Sequence, residues 1–389
     1  MLPLASLVFM LLQLMAYVKA KRAFSRFSQQ NKKDHLYEAP EELSPLVLTQ
    51  NIYGKSFKEM VDSGDAQLIN SGITFEQMIQ ATLLDLIDRK LLGLSKEEGK
   101  LQIENLSKEA LNKEEALFTE MAFGEKTKVD IERLFAHYQY DKQQIKVLKK
   151  KYHGKQLEEM VHQSSEAVLA QIKQKSQAIT EAVAETIAQL GLKSPYRPLS
   201  HRERIGVRSS QWMGGTGLIL LLIVMVFLFI QGSQLAPIYL GLFALEALIL
   251  LYTAFHLETY MLSGVETQEG AYRVHQWQSF RNIIRDINKF DDVEIEGLVV
   301  WNRILVYATL FGYAKKVENY LKVHRIALPE AYHVLNSGNL SYLLYNTTPH
   351  FVSTLSSATE ASHFTVPSGG SGMSGGGFSG GGGGGGGAF

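Results

Sequence analysis

Residues 214–257 read GGTGLILLLIVMVFLFIQGSQLAPIYLGLFALEALILLYTAFHL, and this stretch decides the architecture. After the glycine-rich opening, Leu218 to Ile230 is built only of Leu, Ile, Val, Phe and Met, and a second apolar run extends from about Leu235 to Leu257. A helix needs about 20 apolar residues to cross the roughly 30 Å hydrocarbon layer of a bilayer, and the blocks Gly214 to Ile230 and Leu235 to Leu257 are 17 and 23 residues long. Only Gln231, Gly232, Ser233 and Gln234 separate them, which predicts a helical hairpin with a tight turn at a membrane face. Glu246 falls near the middle of the second run. An unpaired carboxylate in lipid is costly, so Glu246 is expected to face another helix or to be protonated. It is the candidate intramembrane polar site, read either as an ion or proton site or as a packing and hydrogen-bonding contact. No second intramembrane charge accompanies it, which favours the packing reading.

A third apolar block opens the chain. Met1 to Val18 carries no charged residue, and a helix of that length spans about 27 Å at 1.5 Å per residue. Lys19, Lys21, Arg22 and Arg26 follow it, whereas a cleavable signal peptide places its positive charges before the apolar run. The expectation is therefore an uncleaved anchor. Arg197, Arg202, Arg204 and Arg208 stand before the hairpin, and Arg273, Arg281 and Arg285 follow it at a distance. Because basic residues mark the cytoplasmic side, these flanks predict a multi-pass cell-membrane protein with its N-terminus outside and residues 19–213 and the C-terminus in the cytoplasm.

Composition excludes several chemistries. The 39 basic and 39 acidic side chains balance, so no global field draws the chain to nucleic acid. The absence of cysteine removes disulfides, thiolate metal sites and cysteine nucleophiles. There is no P-loop, no H-E-x-x-H, and no G-x-G-x-x-G between a strand and a helix. His153 and His162 are not at one-turn spacing, and the pairs Asp85/Asp88 and Asp291/Asp292 are expected on solvated helix or turn surfaces. No catalytic residue, cofactor or metal ligand is assigned, and the expectation is a protein that is not an enzyme.

The fold class is mainly α. Residues 1–18 form the anchor and 19–72 a linker, whose Pro40 and Pro45 read as an extended tether. Residues 73–135 are expected to form a small winged-helix-like module. Thr74 caps a helix with Phe75, Met78, Ile79, Leu83, Leu86 and Ile87 on its apolar face, and a short hairpin follows around Glu97 to Lys100. A second helix runs from near Ser107 to Phe123, and a third passes through Ile131, Leu134 and Phe135. The module holds nine Lys or Arg against thirteen Asp or Glu, a balance that opposes phosphate binding. Residues 136–213 have long amphipathic helical spacing, with Gly154 the expected break, and Lys146, Lys149, Lys150 and Lys151 make a basic cluster read mainly as a solvated face. Residues 258–335 read as a cytoplasmic helical module built on Trp277, Phe280, Trp301 and Tyr307. Residues 336–389 read as a polar and then glycine-rich disordered tail, with 14 of the 33 glycines in the last 21 positions. Two G-x-S-x-G matches fall in this tail, where the strand-to-helix turn of a nucleophile elbow cannot form.

Taken together, Tyr37-Glu38-Ala39-Pro40 with Leu43-Ser44-Pro45, the Ala81 to Leu86 helix before a small wing, the apolar hairpin, Trp301 spaced to Tyr307-Ala308 and Gly312, and the glycine tail carry a resemblance over nearly the whole chain. The order of these features resembles the bacterial predicted membrane proteins with domain of unknown function 2207. The resemblance implies a signal peptide and a β-rich extracytoplasmic domain ahead of the first anchor. This sequence starts at the anchor, which predicts a truncated or shortened member. The resemblance implies no activity and no catalytic residues. The functional expectation is a membrane-anchored scaffold or interaction protein whose partners are the lipid bilayer, unidentified proteins and, as a homo-oligomer, further copies of itself, and not nucleic acid. The alternative is an oligomeric transport or channel component that uses Glu246.

Overall fold

The computed structural model describes residues 2–24, 35–63, 72–106, 110–140, 142–289, 301–324, 330–332, 334 and 340–366. The expectations for Ser107, Asp291, Asp292 and the glycine-rich stretch from Pro367 onward lie outside these residues. The fold is mainly helical. The chain divides into two units, residues 1–138 with 171–353, and residues 139–170 with 354–389.

In the first unit the central element is helix α4 (Phe75–Asp88), which is buried on nearly every side. Its start follows the sequence. The Thr74 hydroxyl accepts from the Gln77 backbone N–H at 3.2 Å, and the Gln77 side chain accepts from the Thr74 N–H at 2.9 Å, which closes a capping box. The hairpin follows as β1 (Leu92–Glu97) and β2 (Lys100–Asn105), paired from Leu92 opposite Asn105 to Glu97 opposite Lys100. Glu98 and Gly99 between them have φ of 50° and 81°, and positive φ at both central positions is the turn geometry that matches strand twist. Helix α5 (Lys113–Phe123) comes next, then β3 (Lys128–Asp130), which adds to the free edge of β2 with Val129 opposite Ile103. The helix expected through Ile131, Leu134 and Phe135 is therefore corrected to this strand and one 3-10 turn, Ile131–Arg133. Pairing satisfies the backbone groups of β2, and Phe135, at φ 62°, leaves the helical region. The order helix, hairpin, helix is present, with a third strand that the winged-helix expectation did not contain.

The linker expected at residues 19–72 is also corrected. It contains α2 (Pro45–Asn51) and α3 (Phe57–Ser63), whose apolar side chains are buried. Pro45 occupies the first turn of α2, where its missing N–H costs nothing, and the Ser44 side chain accepts from Val47 N at 3.4 Å. The proline that read as a tether therefore starts a helix. Phe57 meets Phe75 and Phe118 edge-on with ring centroids 5.4 and 6.3 Å apart, and Phe118, Phe135 and Phe351 continue the aromatic core.

Helix α6 (Lys142–Lys151) and the 36-residue α7 (Gly154–Gln189) break where the sequence predicts, with Gly154 at φ 57°. In the second unit, His162 Nε2 lies 2.7 Å from Phe364 O, and Glu158 accepts from Val366 N at 3.2 Å.

Strand β4 (Tyr196–Arg197) precedes helix α8 (His201–Ile230), and α9 (Ala236–Ser263) leads into β5 (Val265–Glu266), which pairs with β4. The apolar run therefore continues a helix that begins thirteen residues before Gly214. Helix α1 (Leu2–Phe24) extends past Val18 through Lys19, Lys21 and Arg22, lies along α8 and touches α9. At one end of this three-helix bundle Tyr17, Ala20 and Phe24 cluster with Leu199, Val207, Leu257 and Val265. Among the described residues, two helices, His201–Ile230 and Ala236–Glu258, are long and apolar enough to cross a membrane.

Helices α10 (Gln268–Asp286), α11 (Trp301–Leu310) and α12 (Ala314–Val323) follow. They do not stand apart as a separate module, because α11 packs on α4 and the Tyr307 hydroxyl donates to Leu43 O at 3.0 Å. Trp277, Phe280 and Tyr307 meet edge-on or tilted with ring centroids within 6.0 Å of one another, as core rather than as a ligand cage. Part of the expected tail is helical too, as α13 (Leu340–Thr347) and α14 (Pro349–Ser362). Because Phe57 is core and not tether, Phe57→Ala is expected to destabilise the folded protein by about 3–5 kcal/mol in denaturant unfolding. A flexible linker position would show no change.

Candidate functional site

The one sequence-predicted site residue, Glu246, lies fully buried in the three-helix bundle, and neither carboxylate oxygen has a hydrogen-bond partner. Its position follows from small residues on α8. A Cβ added at Gly217 would come within 3.4 Å of Glu246 Oε1 and 3.3 Å of Phe9 Cβ, so glycine is what lets α1, α8 and α9 close around the carboxyl group. One turn away, a Cβ at Gly214 would fall 2.5 Å from the Gln13 side chain, which is also fully buried. The Gln13 amide donates to Thr253 Oγ1 at 3.0 Å, and Ser210 Oγ donates to Gln13 O at 3.3 Å. The amide oxygen of Gln13 has no partner. Beyond it, Tyr17 packs against Tyr252 and His256 with centroids 6.2 and 6.3 Å apart. A polar seam thus runs from Glu246 to the end of the bundle where Lys19, Lys21 and Arg22 follow on α1. Gln13 was missed in the sequence because one glutamine in an apolar block carries no periodic signal.

A second cluster overturns a sequence expectation. Asp85 is not solvated; it is 1 % exposed and sits between Arg89, at 2.9 Å, and Arg303, which donates to its other oxygen. Arg89 also pairs with buried Glu115. The cluster joins α4, α5 and α11, and Arg303 reaches Leu43 O at 3.4 Å as well. A buried charge of this kind is tolerable only because it is paired on both sides.

This cluster forms the floor of a cavity of about 430 Å³ whose walls include Glu42, Asn112, Glu114, Glu185 and Thr186. Glu114 is 1 % exposed, and one of its oxygens accepts from Thr186 Oγ1 at 2.7 Å while the other has no partner. Burial pushes its carboxyl above the usual range. Five carboxylates line the cavity against three basic side chains, so it is an acidic site. Among the described residues no group of three or more His, Asp or Glu could hold a metal ion.

These features define a mainly helical protein in which two helices are long and apolar enough to cross a membrane and a buried acid faces the interior of the bundle. The family described as predicted membrane protein (DUF2207) C-terminal domain matches residues 32–321, and the chain belongs to that family. No curated protein and no solved structure matches the chain.

Asp88, next to the charge cluster, is raised to about 6, first by burial and then by the Asp85 carboxylate. A carboxyl whose folded pKa is raised stabilises the fold below its unfolded pKa of 3.8, and that contribution is lost as pH rises through about 6. Melting temperature measured from pH 3.5 to 7 is therefore expected to fall less steeply in Asp88→Asn than in the native sequence. Identical profiles would remove this assignment.

Proposed function

We propose that the chain is a multi-span membrane protein whose folded body docks another protein at the membrane surface. The three-span reading takes α1 as the third crossing. At 23 residues α1 is about 35 Å long, and it lies along α8 over its length. The outward faces of α8 and α9 are apolar, with Phe229 78 %, Ile230 79 % and Leu251 68 % exposed, a surface suited to lipid and not to water. The apolar cluster between the C-terminal end of α1 and the start of α8 brings Lys19, Lys21 and Arg22 to the same end of the bundle as Arg202, Arg204 and Arg208. That agreement supports an N-terminus outside and a body in the cytoplasm.

The observation that carries the docking role is the acidic cavity with its half-satisfied, buried Glu114. A basic side chain of a partner would supply the missing donor. The winged-helix-like part, with its acidic balance, belongs to the same protein-binding body and does not bind nucleic acid. Affinity capture in mild detergent is expected to recover a defined partner. Glu114→Gln should lower its yield about tenfold or more, since losing a buried charged contact costs about 2–5 kcal/mol. Recovery of nothing above background with the intact protein, across several growth conditions, sinks the proposal.

A second reading, a component of an oligomeric transport or channel assembly, is favoured by the unpartnered Glu246 alone. It predicts that Glu246→Gln reduces ion flux in vesicles. An unchanged flux removes its motive.

A further inference from the structure

Glu246 has two oxygens that can only accept hydrogen bonds when ionised, and the packed elements offer them no donor. Gly217 of α8 lies against Glu246 Oε1, and Phe9 and the Met10 backbone of α1 pack against the same glycine. The only side-chain amide in the seam, that of Gln13, is committed to Thr253. The ionisable side chains that line the seam are Tyr17 on α1 and Tyr252 and His256 on α9. Tyr252 and His256 lie six and ten residues from Glu246 on its own helix, about 9 and 15 Å along the axis. Lys19, Lys21 and Arg22 lie farther out, and from Ser209 to Ile230 α8 carries no ionisable residue. Among the described residues, Glu246 Oε1 and Oε2 and Gln13 Oε1 are buried acceptors of this seam without a hydrogen-bond partner, and no salt bridge reaches Glu246.

We infer that Glu246 is a proton-binding site and that the bundle holds it as a neutral carboxylic acid at neutral pH. One proton removes the buried charge and gives Glu246 a hydrogen-bond donor of its own. The bare carboxylate would lose its hydration with nothing in return. A metal ion would need several more oxygens than this seam provides, and among the described residues no metal-holding group of side chains occurs. The unpartnered Gln13 oxygen, one turn along α8, is an acceptor to which the acid can be linked directly or through a buried water. The inference rests on the three-span reading, but it does not require that the chain transports anything.

The test uses the full chain in membrane vesicles and the lipid-soluble reagent dicyclohexylcarbodiimide. A carboxylic acid gives its proton to one nitrogen of the reagent while its oxygen adds to the central carbon, forming an acylisourea that rearranges to a stable acylurea. Peptide mass analysis is expected to find the adduct on Glu246 at neutral pH, absent in Glu246→Gln. The labelling rate should fall about tenfold per pH unit once pH exceeds the pKa of the acid. The infrared carbonyl band of a protonated carboxylic acid, shifted in heavy water and missing in Glu246→Gln, is the independent measurement. Absence of both adduct and band in protein that stays in the membrane through alkaline carbonate extraction overturns the inference alone. Loss of labelling on adding sodium at constant pH overturns it in favour of a metal cation. Release of the chain by carbonate overturns the three-span reading, and the inference with it.

Discussion

The placement of Asp85 in the middle of buried helix α4 constrains the whole folded body. A carboxylate that is 1 % exposed needs cations close by, and Arg89 from the end of the same helix and Arg303 from α11 supply them. Arg303 is 218 residues away in sequence, on the far side of the apolar hairpin. The ion pair therefore requires the chain to leave the body, form α8 and α9, and return to pack α11 on α4. The same arginine reaches Leu43 O, and Tyr307, one turn along α11, donates to that oxygen as well. Segments before and after the hairpin thus belong to one core. Breaking such a buried pair by removing one partner costs about 3–5 kcal/mol, although the pair as a whole need not add net stability over an apolar replacement.

Two of the buried acids, Asp85 and Glu246, follow one rule with opposite outcomes. Asp85 has guanidinium groups within hydrogen-bond distance and stays compatible with a charge. Glu246 lies against Gly217, and neither of its oxygens has a hydrogen-bond partner. Glu114 stands between them, with one oxygen satisfied by Thr186 and the other buried without a partner. A buried, unmet hydrogen-bonding need calls for an explanation, and the proton proposed for Glu246 and the basic group proposed for Glu114 would each supply one.

Local chemistry was legible wherever neighbours in sequence are also neighbours in space. The N-cap at Thr74, the Glu98-Gly99 turn, the break at Gly154 and the four polar residues between the apolar runs are such cases. Pro45 was misread because proline is equally at home in an extended tether and in the first turn of a helix, and only the burial of Leu46, Val47 and Leu48 decides between them. Ile131 to Phe135 was misread because the spacing of its apolar residues suits a helix, while the edge of β2 captures Lys128–Asp130 as a strand and turns the chain immediately after it.

By itself the sequence determined a mainly helical protein with an apolar helical hairpin and one acid within it, because the length and composition of an apolar run do not depend on what packs against it. The family resemblance followed from the order of such local features. Only the tertiary structure decided that residues 35–63, 73–138 and 301–323 share a core, that Asp85 is buried while its surroundings read as solvent, and that Gln13 joins Glu246 in one seam. Those contacts span up to 240 residues. Their energetics lie in desolvation and pairing between distant segments, which no window along the chain contains.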